Sequence, residues 1–131
     1  MIVIDSSALL AIIFEEPERA AFENAIKSAA SSFISAVNAH ETACVLRGRH
    51  GVAAVAEFWQ WLADNEIEIV PFDEVQVHAA TVAFNRYGKG IDSKARLNLA
   101  DCAAYALSST MNAPLLFKGN DFTQTDVKSC L

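Results

Sequence analysis

The chain has 131 residues, enough for one compact domain with its own core and too few for two of ordinary size. Apolar residues make up 53% and charged residues 20%, a balance that excludes a disordered chain. A formal net charge of -6 excludes a protein that holds nucleic acid through a broad basic face, so any nucleic-acid chemistry must localise its positive charge.

Met1 to Ile4 is a short β-branched apolar run, the pattern of a strand buried on both faces of a parallel sheet, and Asp5 ends it. Ala8, Leu9, Ile12 and Ile13 then recur at helical spacing, and Pro17 with Glu18 starts a second helix reaching about Ala30. Ser32 to Ser35 reads as the second strand. Val37 to about Arg49 is a helix that packs on the sheet, and Gly51 separates it from another over Val52 to about Asp64. Ile67 to Val70 is a third strand closed by Pro71, and a helix begins at Asp73 or Glu74 and runs to about Tyr87. Gly88 to Arg96, with two glycines and three cations, reads as an exposed loop. Helix resumes near Asn98 and continues to about Met111, and Pro114 to Phe117 is a fourth strand before a polar tail. Strands alternating with helices predict an α/β domain over residues 1–131, its parallel sheet covered on both faces.

No apolar run reaches the ~18 uninterrupted residues of a membrane helix, and Met1 to Phe14 carries an acid and no basic leader, so a soluble cytoplasmic protein is expected. Cys44, Cys102 and Cys130 are odd in number and lack zinc-site spacing. Neither a structural disulfide nor a zinc centre is expected, and Cys44 and Cys102 read as small buried hydrophobes.

Charge inside the most apolar segments marks the chemistry, because burial makes each such charge expensive. Met1 to Phe14 holds one charge before Glu15, Asp5; Ser28 to Leu46 holds Glu41; Leu97 to Phe117 holds Asp101. All three are carboxylates. Glu41 lies four residues from both Val37 and Val45, on the same helical stripe, and Asp101 is flanked at helical spacing by Leu97 and Ala104. Asp5 sits at the carboxyl end of a buried strand, the edge where open parallel sheets bind ligands, and Asp121 follows the fourth strand. Acids gathered there would repel until some protonated, unless a cation held them. Oxygen-only ligands suit Mg²⁺ or Mn²⁺, and that chemistry is phosphodiester hydrolysis. No motif places a histidine as general acid or base. His40 precedes Glu41, but adjacent helical residues point about 100° apart.

The segments VIDSSALLAI, SAVNAHETACVL, LNLADCAAYALS and PLLFKGNDFTQTDV, in that order over nearly the whole chain, resemble the PIN-domain ribonucleases, specifically the VapC-like toxins of type II toxin-antitoxin systems. The resemblance implies a three-layer α/β/α PIN-like fold with a central parallel sheet of about four to five strands. It implies a metal-dependent endoribonuclease in which Asp5 and Asp101 match the principal Mg²⁺ or Mn²⁺ ligands, Glu41 the acid of the third helix and Asp121 the fourth acid. Ser7 resembles the hydroxyl that hydrogen-bonds within such a site, and Asn98 is placed to orient Asp101. Two positions depart from the pattern: Ala100 stands where similar toxins often carry glycine, and Asn120 where many carry an acid, which leaves Asp126 as a competing fourth acid.

The same resemblance implies an RNA substrate, a homodimer, and a VapB-like antitoxin whose C-terminal segment fills a hydrophobic groove near the acids. Arg47, Arg49, Arg86, Lys89, Lys94 and Arg96 are the cations available to line an RNA path, and Phe58, Trp59 and Trp61 put aromatics on more than one side of their helix. Two other readings stay open. One is a PIN-fold RNA- or protein-binding module that has lost catalysis; the other is an RNA-processing nuclease with no antitoxin.

Overall fold

The computed structural model describes residues 1–131. The strands are β1 (Ile2–Ile4), β2 (Ser32–Ser35), β3 (Ile67–Val70) and β4 (Leu115–Leu116). The helices are α1 (Ser6–Ile13), α2 (Arg19–Ser28), α3 (Ala36–His50), α4 (Val52–Asp64), α5 (Glu74–Tyr87) and α6 (Leu99–Met111). Every expected element is present in the expected order. The strands form one parallel sheet in the order β3-β2-β1-β4, with Val3 opposite both Phe33 and Leu115.

Side chains alternate across a strand, so the three residues of β1 serve two cores. Ile2 and Ile4 pack with Leu9, Ile34, Leu46 and Phe58 in the layer formed by α1 to α4. Val3 points the other way, into a core with Leu97, Tyr105, Leu107 and Leu115 under α5 and α6. The outcome is the three-layer α/β/α arrangement, with β1 buried on both faces. The chain lays β1, β2 and β3 outward on one side, then returns to place β4 on the other side of β1. The crevice between the carboxyl ends of β1 and β4 is therefore the switch point where sheets of this kind bind ligands.

One expectation needs correction. Cys44 is exposed, because α3 turns Ala39, Ala43 and Leu46 inward and leaves Cys44 on the open side; Cys102 is buried as expected. The glycine- and cation-rich loop is more constrained than its composition suggests. Leu97 N–H donates to the Tyr87 carbonyl at 2.8 Å, Lys89 N–H donates to the Leu97 carbonyl at 2.9 Å, and Ala95 and Leu97 are buried. Gly88 opens that loop against the end of α5, where a Cβ would lie 2.5 Å from the Phe84 carbonyl oxygen. The tail also returns to the sheet, with Leu115 N–H donating to the Lys128 carbonyl at 2.7 Å and Cys130 N–H to the Leu115 carbonyl at 3.1 Å.

Ile34 is fully buried at the centre of the sheet. Ile34→Ala is expected to lower the unfolding free energy by about 3 kcal/mol in urea titration; a loss below about 1 kcal/mol would mean that this core can close around the gap.

Candidate active site

Asp5 stands where β1 gives way to α1, and its exposure is only 4%. It is also the N-cap of α1: Oδ2 accepts the Ser7 backbone N–H at 3.0 Å and the Ser7 hydroxyl at 2.6 Å. The Ser7 oxygen in turn accepts the backbone N–H of Lys118 at 3.0 Å, so the segment leaving β4 is fastened to the residue that orients Asp5. Burial pushes the Asp5 carboxyl up to about 7; the Ser7 bonds oppose the rise, and the charges of Asp101 and Glu41 add to it.

Asp101 reaches the same place from the opposite layer. It is the third residue of α6 and closes a capping box with Asn98. The reciprocal bonds divide the roles: Asn98 Oδ1 accepts the Asp101 backbone N–H at 2.9 Å, while the Asn98 backbone N–H donates to Asp101 Oδ2 at 3.0 Å. Asn98 thus fixes Asp101 through its main chain, and its amide side chain leaves the carboxylate untouched. Burial pushes Asp101 up to about 6, with the Asn98 bond opposing and Asp121 and Glu41 adding repulsion.

These mutual repulsions define the cluster. Glu41, half-buried on α3, acts on both Asp5 and Asp101, and Asp121 acts on Asp101. Asp121 is exposed, but its neighbour Phe122 is buried with its ring 5.1 Å from that of Phe117, which anchors the loop after β4. Asp126 lies elsewhere, paired with Arg86 at 3.6 Å and accepting a hydrogen bond from the Tyr105 hydroxyl. Of the two candidates for fourth acid, Asp121 is the one whose charge reaches the cluster.

The expected basic residues divide. Arg86 is engaged, stacked 4.8 Å over Tyr87 and donating to its hydroxyl at 2.8 Å. Lys89, Lys94 and Arg96 are exposed on the loop before Asn98 and make no ion pair. His40 faces away from the acids, its Nε2 3.6 Å from Cys44 Sγ, in an open groove between α3 and α4 that also contains Arg47, Val55 and Trp59. The sequence reading missed Lys118 and Asn38. The Lys118 ammonium pairs with Glu16 and, at 3.1 Å, with Glu18, which holds the β4 loop to the turn between α1 and α2. Its one sequence signal was a lone cation beside the NDF segment. Asn38 had a clearer one, an amide one helical turn before Glu41 in an otherwise apolar segment.

The donor set fits a hard divalent cation: it offers carboxylate oxygens only, and the two most buried acids lack a cationic partner. No three acidic, histidine or cysteine side chains close into a ready-made metal cage. The arrangement therefore suits an open site in which Mg²⁺ or Mn²⁺ keeps several waters, and does not suit a dehydrated structural ion.

Comparison with known proteins agrees in fold and family. The PIN domain profile matches residues 2–128. The Ribonuclease VapC of Mycolicibacterium smegmatis is 41% identical over 125 residues, covering 95% of this chain and 96% of the relative. Among solved structures, the Sarcin-Ricin loop cleaving toxin VapC20 of Mycobacterium tuberculosis superposes with a TM-score of 0.78 at 13% identity, over 97% of this chain and 96% of that one. A toxin-antitoxin complex from Klebsiella pneumoniae gives 0.69 at 16% identity, over 96% and 93%. At those identities the two structures speak for the fold alone.

The raised carboxyls have a consequence for stability. Asp5 and Asp101 titrate near 7 and 6 in the folded chain against 3.8 otherwise, so the folded state holds more protons between pH 4 and 7. Their contribution is present below pH 4 and is lost as the pH rises through 7. For Asp5 the loss is at most about 4 kcal/mol. In EDTA, Asp5→Asn is expected to raise the Tm at pH 8 by several degrees and to have little effect at pH 4; equal effects at both values would mean that Asp5 is not held protonated by burial.

Proposed function

This chain belongs to the PIN domain family, and from that premise we propose that it is a metal-dependent endoribonuclease acting at Asp5, Glu41, Asp101 and Asp121, the toxin of a toxin-antitoxin pair. The observation that carries the reading is a chain of repulsions at the sheet's switch point: Asp101 and Glu41 act on Asp5, and Asp121 and Glu41 act on Asp101. The full-length similarity to proteins named ribonuclease supports RNA as the substrate class.

Asp5, Asp101 and Glu41 would hold the cation, with Asp121 at the open side. When bound, Mg²⁺ or Mn²⁺ supplies an acidified water as nucleophile and neutralises charge at the attacked phosphate. The rest falls to the chain. Ser7 turns Asp5 so that Oδ2 is occupied by its own N–H and hydroxyl. The main-chain bond from Asn98 holds one oxygen of Asp101 against the helix end. The first turns of α1 and α6 point backbone N–H groups toward the acids, which favours the ionised forms. Lys89, Lys94 and Arg96, free of ion pairs, are the side chains we assign to the RNA backbone.

For partners, we assign the antitoxin to the groove between α3 and α4, where Trp59 is 43% exposed beside Val55 and Arg47. A homodimer is supported by the apolar residues that α5 leaves in solvent, among them Val75 and Val82. No helix is long and apolar enough to cross a membrane, and we place the activity in the cytoplasm, where RNA is available.

Incubation of the purified chain with total RNA tests the reading. Cleavage is expected with Mg²⁺ or Mn²⁺ and is expected to stop in EDTA; Asp5→Ala and Asp101→Ala should each lower the rate at least a hundredfold with the fold intact by circular dichroism. Wild-type rates in either folded variant would remove that acid from the mechanism, and undiminished cutting in EDTA would remove the metal.

A further inference from the structure

Asn38 is the third residue of α3, and its side chain is fully buried. Its amide nitrogen donates to Ser6 Oγ at 3.1 Å, to the Ala100 carbonyl at 3.1 Å and to Asp5 Oδ1 at 3.4 Å. Two hydrogens serve three acceptors, so the bond to Asp5 is shared and long. Neither the Ala100 carbonyl nor an ionised Asp5 has a proton to give, which fixes the nitrogen toward them and turns Oδ1 away. There Oδ1 is buried without a partner, a condition that native folds rarely tolerate. The residue is also pinned from behind, because its own carbonyl accepts the hydroxyls of Ser6 at 3.3 Å and Thr42 at 2.8 Å.

Packing alone does not call for an amide here. A leucine of similar size would fill the space and remove the orphaned Oδ1, but it would also remove the donor that Ser6, Ala100 and Asp5 share. What the amide adds is a link between layers: Asp5 begins α1 on one side of the sheet, and Ala100 lies in the first turn of α6 directly before Asp101.

We propose that Asn38 is a positioning residue, whose buried amide ties Asp5 to the first turn of α6 and so sets the separation of Asp5 and Asp101 that a divalent cation must bridge. The proposal rests on the functional reading above. Asn38 has no contact with substrate in this account and acts only through the two acids. Groups that orient metal ligands in this way typically change metal affinity by 10- to 100-fold when removed. The lower end applies, because Ser7 still holds Asp5 through two bonds of its own.

The test compares Asn38→Leu and Asn38→Ser with the wild-type chain, measuring Mn²⁺ binding without RNA by calorimetry and Tm in EDTA. Leucine fills the volume and removes the donor; serine keeps a donor and leaves a gap. Mn²⁺ affinity is expected to fall about tenfold for Asn38→Leu and less for Asn38→Ser, while the Tm order is the reverse, Asn38→Leu above Asn38→Ser. A purely structural role would move affinity and Tm together, and that result, or wild-type affinity in Asn38→Leu, overturns the proposal. One measurement needs no variant: the side-chain amide resonances of the buried Asn38 are expected to shift when Mg²⁺ is added to the wild-type chain, and unmoved resonances in a chain that takes up Mg²⁺ also overturn it. A wild-type chain that cuts RNA yet binds neither ion defeats the metal reading and this proposal together, whereas binding that all three chains share equally defeats this proposal alone.

Discussion

A carboxyl group almost wholly withdrawn from water at the end of the central strand governs the rest of this molecule. Asp5 cannot be moved outward, because β1 is covered on both faces and its three residues feed two cores. Nor does any cationic side chain answer it. What stabilises it is a set of weaker devices: the N–H and hydroxyl of Ser7, the start of α1, and the shared amide of Asn38. Burial outweighs the Ser7 bonds and, with the charges of Asp101 and Glu41, pushes the carboxyl up to about 7, so the ionised form lacks full compensation at neutral pH. A counter-charge delivered from solution would supply that compensation.

The neighbouring acids follow the same rule from different elements. Asp101 is half-exposed and held by the first turn of its own helix, Glu41 acts on both aspartates from α3, and Asp121 is on a loop anchored by Phe122. Two of the four occupy helix N-termini, where backbone N–H groups offset part of the repulsion without neutralising it. The loop after β4 is fastened twice, by the Lys118 backbone to Ser7 and by the Lys118 ammonium to Glu16 and Glu18. The rim can therefore stay assembled while the acids repel one another.

Strands and helices were legible because this sequence pairs short β-branched runs with helical spacing, and parallel sheets demand that alternation. Asp5, Glu41 and Asp101 stand out in the sequence for a related reason: each is the single charge in an apolar segment, where burying a charge would need a purpose. Asp121 and Asp126 were harder to tell apart. Both follow the fourth strand, and only the tail's return to β4, with Asp126 drawn toward Tyr105 and Arg86, separates them. Cys44 misled because α3 is amphipathic only over a narrow stripe, and one residue of rotation moves a side chain from core to solvent. Asn38 passed unnoticed because its three acceptors come from residues 32, 33 and 62 positions away, a separation that no local pattern records.

The account stands on the acids from four elements forming one cation site. Anomalous diffraction from crystals soaked in Mn²⁺ reads that out without reference to activity. One strong peak within coordination distance of both Asp5 and Asp101, with Glu41 or Asp121 completing or facing the shell, is the result expected. A map with no peak at saturating Mn²⁺, or with its peak at other residues while these carboxyls stay unliganded, would contradict it.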